Sequence, residues 1–100
     1  IEIIPQFFFY APNAFTPNND MINDEFIPQG YCILPNDYNM YIFDRWGELV
    51  FETSILFGSW DGIDSRTGSM CKSDVYVVKI IYRDVFNQKH EYVGHINLLR

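Results

Sequence analysis

The stretch from Asp74 to Val85 constrains this chain more than any other. Tyr76, Val78, Ile80 and Tyr82 fall on every second position, with Lys79 and Arg83 among the residues between them. A period of two places one set of side chains on one face of an extended strand, which a helix cannot do. The end of the chain repeats the pattern, with Tyr92, Gly94, Ile96 and Leu98 alternating with Glu91, Val93, His95 and Asn97. Phe86-Asn87-Gln88-Lys89 between them reads as a hairpin loop, so the two strands are expected to be antiparallel neighbours.

A second hairpin follows the same logic. Tyr38, Met40 and Ile42 alternate with Asn39, Tyr41 and Phe43 up to an Asp44-Arg45-Trp46-Gly47 turn. Glu48 to Thr53 then returns, with Leu49 and Phe51 on one side and Val50 on the other. Phe7 to Tyr10 and Glu25 to Pro28 are shorter strand candidates, and Pro12, Pro17 and Pro28 confine them to edges or ends. No segment sustains a 3.6-residue period, so no substantial helix is expected. The pattern predicts an all-β fold, an antiparallel β-sandwich of about seven strands.

At 100 residues the chain is read as one domain, 1–100, with residues 1–8 taken as the end of an upstream linker plus the first strand. A composition that is 48% hydrophobic and 18% aromatic is that of a folded chain. The net charge of −6 disfavours nucleic acid as a partner, because counterion displacement needs clustered Lys and Arg. It equally disfavours an anionic membrane surface, and no apolar run approaches the roughly 20 residues of a spanning helix, so no direct membrane insertion is expected. Ile1-Glu2-Ile3-Ile4-Pro5 lacks a basic n-region, so any export signal is expected upstream of Ile1.

Catalytic chemistry finds little support. His90 and His95 lie in or beside one late strand, with no nucleophile elbow nearby, and read as strand histidines facing solvent or satisfied by neighbours. Asp20, Asp24, Asp61 and Asp64 could be offered as paired carboxylates, yet acids in Asn- and Gly-rich turns usually bond their own backbone. The chain is therefore read as no enzyme. Cys32 and Cys71 allow two readings: a bridge contributing about 4 kcal/mol, or two thiols acting as small hydrophobes. Trp46 and Trp60 are expected in the core, since buried aromatics dominate small cores; exposed, they would form a sugar platform or a partner anchor. Arg45 is expected to bond Asp61 or Asp24, or else to remain exposed.

Pro12 to Phe26 reads as a structured crossing between apolar anchors, its Asn and Asp groups shaping turns. Asn18, Asp20, Asn23 and Asp24 offer hard oxygens that suit calcium; no cofactor is otherwise expected. Their spacing is not that of an EF-hand, and the favoured reading is that they cap turns.

Pro12-Asn13-Ala14-Phe15-Thr16-Pro17-Asn18, then Asp20, Asn23-Asp24 and Phe26, resemble the opening of a known family. So do Arg45-Trp46-Gly47 within Ile42 to Glu52, Trp60-Asp61-Gly62, Val75-Tyr76-Val77, and Gly94 to Arg100. Order and spacing resemble the gliding motility-associated C-terminal domain of Bacteroidetes, the type B sorting domain of the type IX secretion system. The resemblance implies an immunoglobulin-like β-sandwich that is non-catalytic and directs a larger exported protein through that system. The route it implies crosses the periplasm and ends at the cell surface or in the medium. It implies outer-membrane secretion components as partners, in particular a PorP/SprF-like protein. Val93, Gly94, Ile96, Leu98 and Arg100 of the closing strand are the recognition candidates, through an edge strand or loop face. The other signature residues are read as mainly structural. Asn19 and Met21 stand where the family usually has glycines, which leaves the shape of the first loop open. The rival reading is a carbohydrate-binding or adhesive sandwich module of a surface protein.

Overall fold

The computed structural model describes residues 8–17 and 24–99. Seven strands follow one another: β1 (Phe8–Tyr10), β2 (Ala14–Phe15), β3 (Gln29–Tyr31), β4 (Asn39–Phe43), β5 (Leu49–Thr53), β6 (Asp74–Arg83) and β7 (Lys89–Leu98). Among the described residues the only helical element is a 3₁₀ turn at Pro35–Asp37. Five strands form one sheet in the order β2-β7-β6-β4-β5, and β1 pairs with β3 in a second, two-stranded sheet. The two hairpins expected from alternation are β4–β5 and β6–β7. The second runs without interruption from Asp74 opposite Leu98 to Arg83 opposite Lys89.

The period of two is explained by burial. Tyr76, Val78, Ile80 and Tyr82 of β6 lie inside, as do Ile96 and Leu98 of β7 and Met40 and Ile42 of β4. Each large apolar side chain so buried contributes about 1.5–3 kcal/mol of transfer free energy. Trp60 sits in the middle with no exposed surface. Phe15 and Tyr76 pack on it with ring centroids 5.3 Å away in each case, and its Nε1 donates to the Ile63 carbonyl at 3.0 Å. A buried indole needs such an acceptor, and the tight turn after Trp60 supplies one. The second sheet closes over the other end of β6, where Phe9 stacks on Tyr82 with centroids 4.7 Å apart.

Three local expectations are corrected. Glu25 to Pro28 is not a strand. Phe26 makes a single bridge, its N–H to the Trp60 carbonyl at 2.8 Å and its carbonyl to the Trp60 N–H at 3.0 Å. Pro28 has no N–H to continue a ladder, and pairing starts just beyond it in β3. The sandwich is also not antiparallel throughout: β2 runs parallel to β7, with Ala14 opposite Asn97 and Phe15 opposite Leu98. Pro12 and Pro17 bracket this short pairing and hide it in what reads as a loop. Lastly, Trp46 is not in the core but 78% exposed.

The β4–β5 and β6–β7 turns share one backbone frame. In the first, Asp44 N–H donates to the Glu48 carbonyl and Gly47 N–H to the Asp44 carbonyl. In the second, Asp84 N–H donates to the Gln88 carbonyl and Asn87 N–H to the Asp84 carbonyl. The fourth residue is left-handed in both, Gly47 at φ 81° and Asn87 at φ 64°. Glycine and asparagine are the residues that tolerate this region best.

Candidate functional site

The closing strand β7 divides its side chains between two faces. Ile96 and Leu98 are fully buried, Gly94 is half-buried, and Val93 is 58% exposed. Of the recognition candidates on this strand, Val93 therefore presents its side chain to solvent, while Ile96 and Leu98 point into the core. Arg100 lies outside the described residues. Gly94 has a packing reason of its own: a Cβ there would fall 2.5 Å from the Tyr92 hydroxyl oxygen. The Tyr92 ring lies against the glycine and meets Phe9 at a centroid distance of 5.4 Å.

β7 lies between β6 and β2, but β2 covers little of it. Asn97 N–H donates to the Asn13 carbonyl at 2.8 Å and Leu99 N–H to the Phe15 carbonyl at 3.0 Å. The Asn97 side-chain amide adds a bond to the same Asn13 carbonyl at 3.2 Å. N-terminal to Asn97, no described strand pairs with β7 on the side away from β6. Lys89, Glu91, Val93 and His95 are all exposed along this stretch.

At the same end of the sandwich the β4–β5 turn projects into solvent. Asp44 Oδ1 accepts from the Trp46 and Glu48 N–H groups, both at 2.9 Å, which fixes the tip. The Arg45 guanidinium lies 5.7 Å from the Trp46 ring centroid, within cation–π range. It also reaches Asp74 at 3.5 Å, across the start of β6. This replaces the expected Asp61 or Asp24 partner. Asp61 instead accepts from the Ile63 N–H at 3.1 Å and shapes its own turn. Asp64 accepts from the Arg66 N–H at 2.9 Å and from the Arg66 side chain, which also pairs with Glu48. The Arg66 hydrogen bond holds the Asp64 carboxyl below its ordinary range. Both acids thus build turns.

The far turn has the same frame in buried surroundings. Asp84 is 2% exposed, and its Oδ1 accepts from the Phe86 and Gln88 N–H groups. Its Oδ2 lies 2.8 Å from His90 Nε2, and the His90 ring stacks on Tyr82 at 5.2 Å. The His90 hydrogen bond lowers the Asp84 pKa from its ordinary value. His95 lies on the exposed face of β7, on the opposite side of the sheet from His90. The fold therefore keeps the two histidines apart. This clasp was not foreseen, although Asp84 six residues before His90, across a hairpin loop, was available as its signal.

Cys32 and Cys71 are not bridged to each other. Cys71 N–H bonds the Gly62 carbonyl just before β6, whereas the Cys32 carbonyl accepts from Val85 N–H just after it. A strand of ten residues separates them by roughly 30 Å, several times the reach of a disulfide. Of the calcium candidates, Asn18, Asp20 and Asn23 lie outside the described residues, which include Asp24 alone.

Taken together, two facing sheets whose first strand changes sheet at Pro12, and two hairpins with Asp-framed turns, define an immunoglobulin-like β-sandwich. The model of the CHU_C Type IX secretion signal domain matches residues 9–98, and the chain belongs to that family. In fold it is similar to CopC from Methylosinus trichosporium OB3b, with a TM-score of 0.59 at 14% identity over 89% of this chain and 84% of that one. At that identity the likeness concerns the fold alone. None of the curated proteins matches the chain.

Proposed function

We propose that this chain is a non-catalytic secretion signal that directs a larger exported protein through the type IX system, read by the machinery as a folded surface. The observation that carries this reading is the family match across residues 9–98, nearly the whole sandwich. The cargo crosses the periplasm and reaches the cell surface or the medium, and the partner is an outer-membrane component of the PorP/SprF-like kind. The end bearing the β2–β7 clasp, the Arg45-Trp46 tip and the last strand offers the exposed groups such a partner would grip. A reporter carrying this chain at its C-terminus is expected to appear outside a type IX-competent cell and to stay in the periplasm without it. Equal export of both reporters would remove the reading.

One observation favours a second reading. Trp46 at 78% exposure, with Arg45 beside it, is the sort of aromatic platform on which glycans stack. Trp60 is fully buried and cannot share that role. Glycan-array binding that Trp46→Ala abolishes, with export unchanged, would favour an adhesive module.

A further inference from the structure

We infer that the outer edge of β7, from Lys89 to His95, is a strand-addition site that takes an extended segment of the secretion partner. The inference rests on the secretion-signal reading and names which atoms of the domain make the contact.

The direction of the backbone groups follows from the β2 pairing. The N–H groups of Asn97 and Leu99 point away from β6, since both donate to β2 carbonyls. Along an extended strand alternate residues aim their N–H and C=O groups the same way. The β6–β7 register holds without a shift from Leu98 to Lys89. His95, Val93, Glu91 and Lys89 therefore direct both groups outward, while Gly94, Tyr92 and His90 direct theirs to β6. The outward row extends over roughly 20 Å at the usual rise per residue. Among the described residues no strand covers it, because the chain before Ala14 leaves this edge at Pro12 and pairs as β1 with β3.

Natural edges this straight are usually blunted by bulges, prolines or charge. The opposite edge of the same sheet follows that rule: β5 pairs with β4 through a register shift, and Ser65 bonds the Val50 carbonyl with both its N–H and its hydroxyl. β7 has no bulge, and its charges sit at Lys89 and Glu91, far from β2. The least guarded part is Val93 to His95, directly beside the existing clasp. An incoming strand would continue the parallel ladder that β2 begins, so the edge already presents the required twist and spacing. Backbone bonds would give affinity, and side chains on alternate positions the selectivity. Val93, 58% exposed, asks for an apolar neighbour, and the net charge of −6 favours a segment that is neutral or basic.

Proline tests this directly. The Val93 N–H faces outward, so Val93→Pro removes an edge donor and leaves the β6 ladder intact. Val93→Thr keeps the donor and serves as the matched control. Both variants are placed at the C-terminus of the exported reporter, and folding is checked by melting temperature. Export reduced about tenfold or more for folded Val93→Pro, with Val93→Thr near wild type, is the expected result. Wild-type export of folded Val93→Pro overturns the strand-addition site. Loss of export on removing the whole domain, in the same series, shows that the secretion-signal reading survives that outcome. Should Val93→Pro not fold, amide exchange decides. Glu91, Val93 and His95 of the wild-type chain should exchange quickly when free and slow markedly on mixing with outer-membrane vesicles from type IX-competent cells. Unchanged exchange at these positions overturns the inference.

Discussion

The two long hairpins close with the same five-residue frame and put it to opposite uses. Asp44 and Asp84 each accept two backbone N–H groups through Oδ1, from the second and fourth residues after them. Asp44 does this at a tip that projects, where Trp46 stands 78% exposed. Asp84 does it at 2% exposure, with His90 on its second oxygen and the Ile33 backbone bridged to its own. The difference lies in the neighbours. Leu34 N–H bonds the Arg83 carbonyl and Val85 N–H the Cys32 carbonyl, so a connecting segment covers the far turn. The near turn is tied down by largely exposed ion pairs instead, Arg45 reaching across to Asp74 and Glu48 meeting Arg66. One turn is thus part of the frame of the sandwich, and the other is a rigid but solvent-facing display.

The comparison would break first at the aspartates. Asp84→Ala takes the acceptor from two part-buried backbone donors and removes the carboxylate beside His90, and should lower the melting temperature by about 10 °C or more. Asp44→Ala removes the same caps where water can replace them, and about half that fall is expected. Equal falls in thermal unfolding would mean that burial does not distinguish the two turns.

Acid sharpens the contrast. Because the folded pKa of Asp84 is depressed, its contribution is complete above the unfolded value of about 3.9 and is lost as pH falls through the lower folded value. Melting temperature should therefore drop more steeply below about pH 4 in the wild type than in Asp84→Asn. Parallel acid limbs would contradict the clasp.

The smallest effect concerns the left-handed positions. A Cβ on Gly47 would meet nothing within 4 Å, so Gly47→Ala carries only the backbone penalty, about 1 kcal/mol in urea unfolding. Asn87→Gly should be neutral within about 0.5 kcal/mol, as asparagine already tolerates the conformation.

Alternation carried most of the fold into view, because Tyr76, Val78, Ile80 and Tyr82 have no other way to share one face. Loop-borne pairing did not show. β2 spans two residues between prolines, and nothing in Ala14-Phe15 announces that the Asn13 and Phe15 carbonyls will receive N–H groups from the last strand. Glu25 to Pro28 looked like a strand from its composition, but the ladder had to wait until the chain was past Pro28. Trp46 and Trp60 present similar local settings, each just before a turn. What separates them is non-local: Trp60 has Phe15, Phe51 and Tyr76 around it, whereas Trp46 stands 78% exposed with Arg45 beside its ring. The direction of the β7 amides was equally hidden, since it depends on which side of the strand β2 occupies.

The parallel β2–β7 contact also gives the sandwich a mechanical character. The chain enters the sheet through β2 and leaves it through β7, side by side and pointing the same way. Tension between an upstream cargo and a held C-terminal end would load the Asn13–Asn97 and Phe15–Leu99 bonds together, in shear, instead of peeling them one at a time. Under such a load the five-stranded sheet would yield last where β2 and β7 meet.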